Sequence, residues 1–145
     1  MKSVKVATLD TIFSKCIRES YNWICAYKDC EHCNNVSFRD SPGGLHTSHF
    51  KGRRKRSTRW FPDNCFALCN KRHENMGDTP HDHSKWVLGE LGLSRYDDLI
   101  IRSNEPKKYT PHDRWEMNRH YNAQYKYMLR RRETERGYLP LVRWD

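Results

Sequence analysis

Three polar residues stand at intervals that suit the hydrolysis of a phosphodiester. His49 sits near the end of Leu45-His46-Thr47-Ser48-His49-Phe50, Asn64 lies beyond a basic loop, and His73 follows nine positions later. Such hydrolysis needs a base that takes a proton from water and a cation that stabilises the charged phosphorus centre and the leaving oxygen. A histidine on a strand, facing a metal held by residues at a helix start, supplies both. The His-Asn-His order gives the right residue types within one hairpin-plus-helix unit.

The cysteines make a second constellation. Six are present, with Cys30 and Cys33 as a CxxC pair and Cys65 and Cys69 together about 35 residues later. Nothing in the sequence points to export, and thiols in a reducing compartment rarely pair as disulfides. Clustered cysteines with histidine nearby read as metal ligands. A structural zinc takes four Cys or His ligands in a closed tetrahedron. Cys30, Cys33 and Cys69 are three of them; His73, through Cys-x-x-x-His, Cys65, and Cys25 or another residue compete for the fourth place. Cys16 falls on an apolar helix face and reads as core.

Between His49 and Asn64 runs Lys51-Gly52-Arg53-Arg54-Lys55-Arg56, followed by Arg59. The whole chain carries 27 Lys and Arg against 18 Asp and Glu, a net charge of +9. That excess points to a polyanionic partner, and the basic loop at the lip of the proposed site points to phosphate contacts by Lys51, Arg53, Arg54, Lys55, Arg56 and Arg59. No apolar run approaches the roughly 20 residues that span a bilayer, and the N-terminus lacks the apolar stretch of a secretory signal. A soluble, cytoplasmic protein that meets nucleic acid rather than membrane is the expectation.

The elements that must position these residues follow from periodicity. Leu9, Ile12, Phe13, Cys16 and Ile17 form one helical face within residues 8–20, with Thr8 as the expected N-cap. Turn-rich residues 25–47 suggest short strands and a zinc knuckle leading into a hairpin. A short helix is expected from about Cys65 to Asn75, closed by Gly77, and another over 84–91 with Ser84 as cap. Ser94 to Asp97 resembles a capping box for one more. Thr110-Pro111-His112-Asp113 supplies a capped start for a long final helix whose stripe includes Met117, Tyr121, Tyr125 and Met128. Its Arg130-Arg131-Arg132 end offers a second phosphate contact. The fold class expected is α+β and mostly helical: a single domain over 1–145, with an N-terminal helix at 8–24, a zinc-stabilised core at 25–80 and a helical extension at 81–145.

The order Asn64, Cys69, His73 resembles the end of an HNH nuclease motif, and His49-Phe50 its opening. Over about residues 8–100 the chain is similar to NinG/Rap-type phage recombination nucleases. Phe13-Ser14-Lys15-Cys16-Ile17-Arg18, Cys30/Cys33, His49-Phe50, Arg59-Trp60 and Asn64 before Cys69 follow their order of motifs. The resemblance implies a ββα-metal, treble-clef-like core and a metal-dependent endonuclease acting on DNA, branched recombination intermediates included. His49 would be the general base, Asn64 would orient the loop, and His73 would bind a catalytic Mg²⁺ or Mn²⁺ beside a structural Zn²⁺. Ser48 stands where the family often carries Asp or Gly, so the usual carboxylate ligand is missing, and His46 is expected not to replace it. Arg72 stands where a second CxxC would end. If His73 binds zinc, Asp78, His81 or His83 must serve the catalytic ion. A zinc-stabilised DNA-binding protein without catalysis is the alternative, and an RNA-directed protein a third reading.

Overall fold

The computed structural model describes residues 2–145. It is an α+β arrangement, more than half helical, around one small antiparallel sheet. Helix α1 spans Val6–Ser20, strand β1 Leu45–His49, helix α2 Arg56–Arg59 and strand β2 Cys65–Cys69. Helices α3 (Asn70–Asp78), α4 (Pro80–Leu91), α5 (Leu93–Ser103) and α6 (Pro111–Arg131) follow. Strands β1 and β2 pair from Leu45 opposite Cys69 to His49 opposite Cys65, and β2 runs directly into α3.

The stretch expected as a helix from Cys65 is thus a strand for its first five residues. Cys65-Phe66-Ala67-Leu68-Cys69 is buried throughout. A strand covered on both faces shows a continuous apolar run rather than alternation, and such a run does not distinguish strand from helix. Helix α3 begins only at Asn70 and passes through Gly77 to end at Asp78. Helix α1 begins one turn before the expected start, with Lys5 and not Thr8 at its N-cap position. Helix α4 begins at Pro80, four residues before Ser84, because proline suits the first helical position. Gly92, at φ +80°, links α4 to α5 with no side-chain cap, so the capping box read at Ser94 does not form. At Thr110 the expected capping box is present, with Thr110 and Asp113 bonded reciprocally.

Two apolar clusters hold these elements. In the first, Leu9, Phe13, Cys16 and Ile17 of α1 pack with Met117, Tyr121 and Met128 of α6, with Trp60, and with Leu139 and Leu141 of the C-terminal segment. The stripe read along the last helix is therefore packing. In the second, Trp23, Phe61, Phe66, Leu68, Met76, Val87 and Leu99 join the knuckle and sheet to α3, α4 and α5. Glu19 is fully buried, yet Arg39 grips both its oxygens, at 3.0 and 2.8 Å, and Arg132 approaches at 3.4 Å. A carboxylate out of water is tolerable only when paired in this way. Among the described residues no helix is long and apolar enough to cross a membrane.

Candidate active site and metal centre

Cys25, Cys30, Cys33 and Cys69 bring their sulfur atoms within 4.8 Å of one another. The Cys30 and Cys69 sulfurs are 3.9 Å apart. Sulfurs at the corners of a tetrahedron with a Zn–S distance of about 2.3 Å lie about 3.8 Å apart, so the set could hold a metal ion such as zinc. Backbone geometry builds the cluster. The Ala26 N–H donates to the Ala67 carbonyl at 2.7 Å, laying Cys25 beside β2, and the Cys69 N–H reaches the Cys25 sulfur at 3.5 Å. Asn35 staples the knuckle: its Oδ1 accepts from the Cys30 N–H at 3.0 Å, and its Nδ2 donates to the carbonyls of Cys25 and Tyr27. Asp29, Asn34 and Asn35 take the positive φ values that the tight turns require, and Asn and Asp tolerate that region better than most residues.

The fourth corner is Cys25, and neither His73 nor Cys65 occupies it. Cys65 and Cys69 would be neighbours on a helix, but on a strand four residues span about 13 Å. Cys65 instead lies in the α1–α6 cluster, where full burial raises its thiol pKa well above the ordinary value. Cys16 is likewise core; its thiol donates to the Tyr121 carbonyl, and burial pushes it up to about 12. Arg72 points toward the knuckle, its guanidinium 3.7 Å from the Tyr27 ring and donating to Glu31 at 2.9 Å. Burial would raise the Cys30 thiol, but the His32 backbone N–H and the Arg72 side chain outweigh it and bring it down to about 7. A cation thus stands beside Cys30 where a fifth cysteine would be redundant.

His49 occupies the end of β1, half-buried, with Nε2 3.0 Å from the carbonyl oxygen of Arg59. A carbonyl only accepts, so Nε2 carries the hydrogen and the neutral ring keeps its lone pair on Nδ1. Burial lowers the His49 pKa below 6.5; the Arg59 carbonyl opposes that shift without reversing it. The Arg59–Trp60 segment is itself anchored. Asp10 of α1 accepts from Arg59 Nε at 3.0 Å and from Trp60 Nε1 at 2.9 Å, while the Tyr121 hydroxyl donates to the Trp60 carbonyl at 2.8 Å. Burial alone would raise the Asp10 carboxyl, but the Arg59 and Trp60 bonds and the nearby Arg53 lower it. Sequence reasoning missed Asp10 as a site residue, since its identity and helix position carry no sign of a partner about 50 residues away.

Asn64 is fully buried and fastens both ends of the connecting loop. Its Oδ1 accepts from the Lys51 N–H at 2.7 Å, and its Nδ2 donates to the carbonyls of Lys51 and Thr58 at 2.9 and 3.1 Å. The Phe50 N–H donates to the Asn64 carbonyl at 2.8 Å. Arg54, Lys55 and Arg56 on this loop are exposed and, among the described residues, pair with no carboxylate; Arg53 lies 3.9 Å from Asp10. Arg59 differs from the expected phosphate contact, because its guanidinium is committed to Asp10 and its side chain is only 14% exposed. At the end of α6, Arg131 pairs with Glu135 and Arg132 with Glu19, while Arg130 has no ion pair among the described residues.

His73 does not join the cysteine group, and its ring stacks on His46 with centroids 5.1 Å apart and planes 11° from parallel. His46 and Ser48 share a face of β1, as strand alternation dictates, so His46 needs no backbone adjustment to lie on the Ser48 side. Two clefts meet at His49, Gly52 and His73. One, of about 500 Å³, includes Asp10, Arg18, His46 and Arg53; the other, of about 360 Å³, includes Ser48, Lys51 and His83. Burial lowers the pKa of both His73 and His83, and each keeps one buried nitrogen without a hydrogen-bond partner. An unpaired buried polar group costs about 1–3 kcal/mol. No Asp or Glu lines the second cleft, and Asp78 and His81 are exposed outside it. Among the described residues the four cysteines are the one group of three or more potential metal ligands close together.

Comparison with protein-family models, with curated proteins and with solved structures finds no match for this chain.

Proposed function

We propose that the chain is a metal-dependent DNA endonuclease of the HNH type, in which β1, β2 and α3 form a ββα-metal unit braced by a zinc in the four-cysteine centre. The observation that supports it best is the state of His49: a neutral imidazole, held by the Arg59 carbonyl with its Nδ1 lone pair free, bordering the clefts that His73 also lines. In this reading Nδ1 takes a proton from water as its oxygen attacks phosphorus, and the opposite P–O ester bond breaks. Asn64 holds the loop so that Arg54, Lys55 and Arg56 meet the DNA backbone beside the base. A divalent ion held by His73 would stabilise charge on the phosphate and the leaving oxygen. DNA is recognised through its phosphates and shape, consistent with the net charge of +9. Branched DNA and a role in phage recombination belong to the same proposal and rest on the resemblance alone.

The test is cleavage of plasmid and branched DNA in Mg²⁺, Mn²⁺ or Ni²⁺ by the wild type and His49→Ala. The variant is expected to lose cleavage by about 100-fold or more while keeping its DNA affinity, since general bases typically contribute about 10²–10⁴ in rate. The absence of a carboxylate from the cleft at Ser48 favours a second reading, a zinc-stabilised DNA-binding protein. That reading predicts no cleavage with any of the three ions and an affinity indifferent to His49.

A further inference from the structure

Two buried imidazole nitrogens, Nδ1 of His73 and Nε2 of His83, have no hydrogen-bond partner. Both residues line the cleft of about 360 Å³ between β1 and the α3–α4 pair, and Ser48 lines it with them. His83 is only 8% exposed, and its ring is set edge-on against Phe50 with centroids 5.2 Å apart at 77°. Buried polar atoms are almost always satisfied, so two orphans on residues that line one cleft point to a partner within it.

We propose that His73 and His83 form a two-nitrogen site for a borderline divalent transition metal, Ni²⁺, Co²⁺ or Zn²⁺, separate from the four-cysteine centre. Its role as the catalytic ion rests on the nuclease reading; its existence does not. The donor chemistry sets the metal class. Imidazole suits these ions, whereas Mg²⁺ is held through carboxylates, and none lines this cleft. His83, brought in by α4, stands in for the acid missing at Ser48. The remaining positions stay open to water and to a phosphate oxygen, as a working metal site requires. His46 is not a third ligand: its ring is nearly parallel to that of His73, so the two in-plane lone pairs do not converge.

Protein carrying zinc in the cysteine centre is titrated with Ni²⁺ by calorimetry. One further equivalent is expected in the wild type, weakened about tenfold or more in His73→Gln and in His83→Gln. The exposed His81→Gln control binds as the wild type does, and excess Mg²⁺ does not displace the ion. Because a change at His83 can unsettle α4, the wild type supplies a second readout. Added Co²⁺ shifts the imidazole proton resonances of His73 and His83 strongly. Unchanged affinity in both variants, loss in His81→Gln, or unmoved resonances overturns the site. Ni²⁺ bound at His73 and His83 without DNA cleavage supports the site and sinks the nuclease reading. Mg²⁺-supported cleavage by protein that binds no Ni²⁺ sinks the site and leaves the nuclease reading standing.

Discussion

His49 and Asp10 are coupled through Arg59: Asp10 accepts from the Arg59 guanidinium, and the Arg59 carbonyl accepts from the His49 ring. Helix α1 thereby sets the tautomer of a residue on β1 that its carboxylate does not touch. A carboxylate, a guanidinium, a backbone carbonyl and an imidazole form one hydrogen-bonded chain.

Asp10→Asn keeps the shape and removes the charge that grips Arg59. Cleavage is expected to fall by about 100-fold, the cost of misplacing a catalytic group by about 1 Å. The fall belongs in kcat, with DNA affinity unchanged, and the acid limb of the pH profile moves. An unaltered profile with an unaltered rate would show that Arg59 holds His49 without help from α1.

The His49 shift fixes the sign of the pH dependence. Its folded pKa lies below 6.5 because burial disfavours the charged ring. Between the two values the unfolded chain binds the extra proton, so this stabilisation is fully present above 6.5 and is lost as pH falls through the folded value. Urea unfolding from about pH 7 to about pH 5 should weaken the wild type more steeply than His49→Gln. Parallel slopes would contradict a neutral, half-buried His49.

Asn64→Asp tests the loop clamp. A carboxylate still accepts from the Lys51 N–H but donates nothing to the Lys51 and Thr58 carbonyls, and a buried charge is added. A loss of about 3 kcal/mol is expected in chemical denaturation. Hydrogen exchange should show the loop from Lys51 to Thr58 opening. A change confined to activity, with stability intact, would speak against the clamp.

Metal content separates the cysteines. Cys25→Ser should lose most of the bound zinc and lower Tm, whereas Cys65→Ser and Cys16→Ser should keep zinc and change stability only through packing. Elemental analysis and thermal unfolding of the three variants give the answer. Retained zinc in Cys25→Ser would return the fourth place to another ligand.

The parts of the site legible in the sequence are those built by local spacing. A hairpin joins His49 to Asn64, so their order and the basic loop between them survive translation into structure. The continuous apolar run from Cys65 hid a buried strand, and that one misreading made Cys65 look like a neighbour of Cys69. Cys25 was only one of several options, because its place depends on the long-range bond from Ala26 to Ala67. The pairing of Arg59 with Asp10, and of Arg132 with Glu19, is equally non-local. Charge runs read from sequence overcount the cations left free for a polyanion, since a partner far along the chain is invisible there.

The C-terminal segment ties back to the end of α1: the Leu139 N–H donates to the Ser20 carbonyl at 2.8 Å, and the Ser20 hydroxyl to the Leu139 carbonyl at 2.6 Å. During synthesis, α1 waits for more than a hundred further residues before its apolar face is covered, while the knuckle and sheet close over much shorter loops. Asp10 travels with α1, so its grip on Arg59 settles only once α6 has emerged to cover that helix. A chain ending before α6, at residue 110, should bind zinc yet lack the Tyr121 hydroxyl that holds the Trp60 carbonyl and the helix that covers α1. Ribosome-arrested lengths assayed for zinc retention and DNA nicking would show whether the two properties arrive in that order.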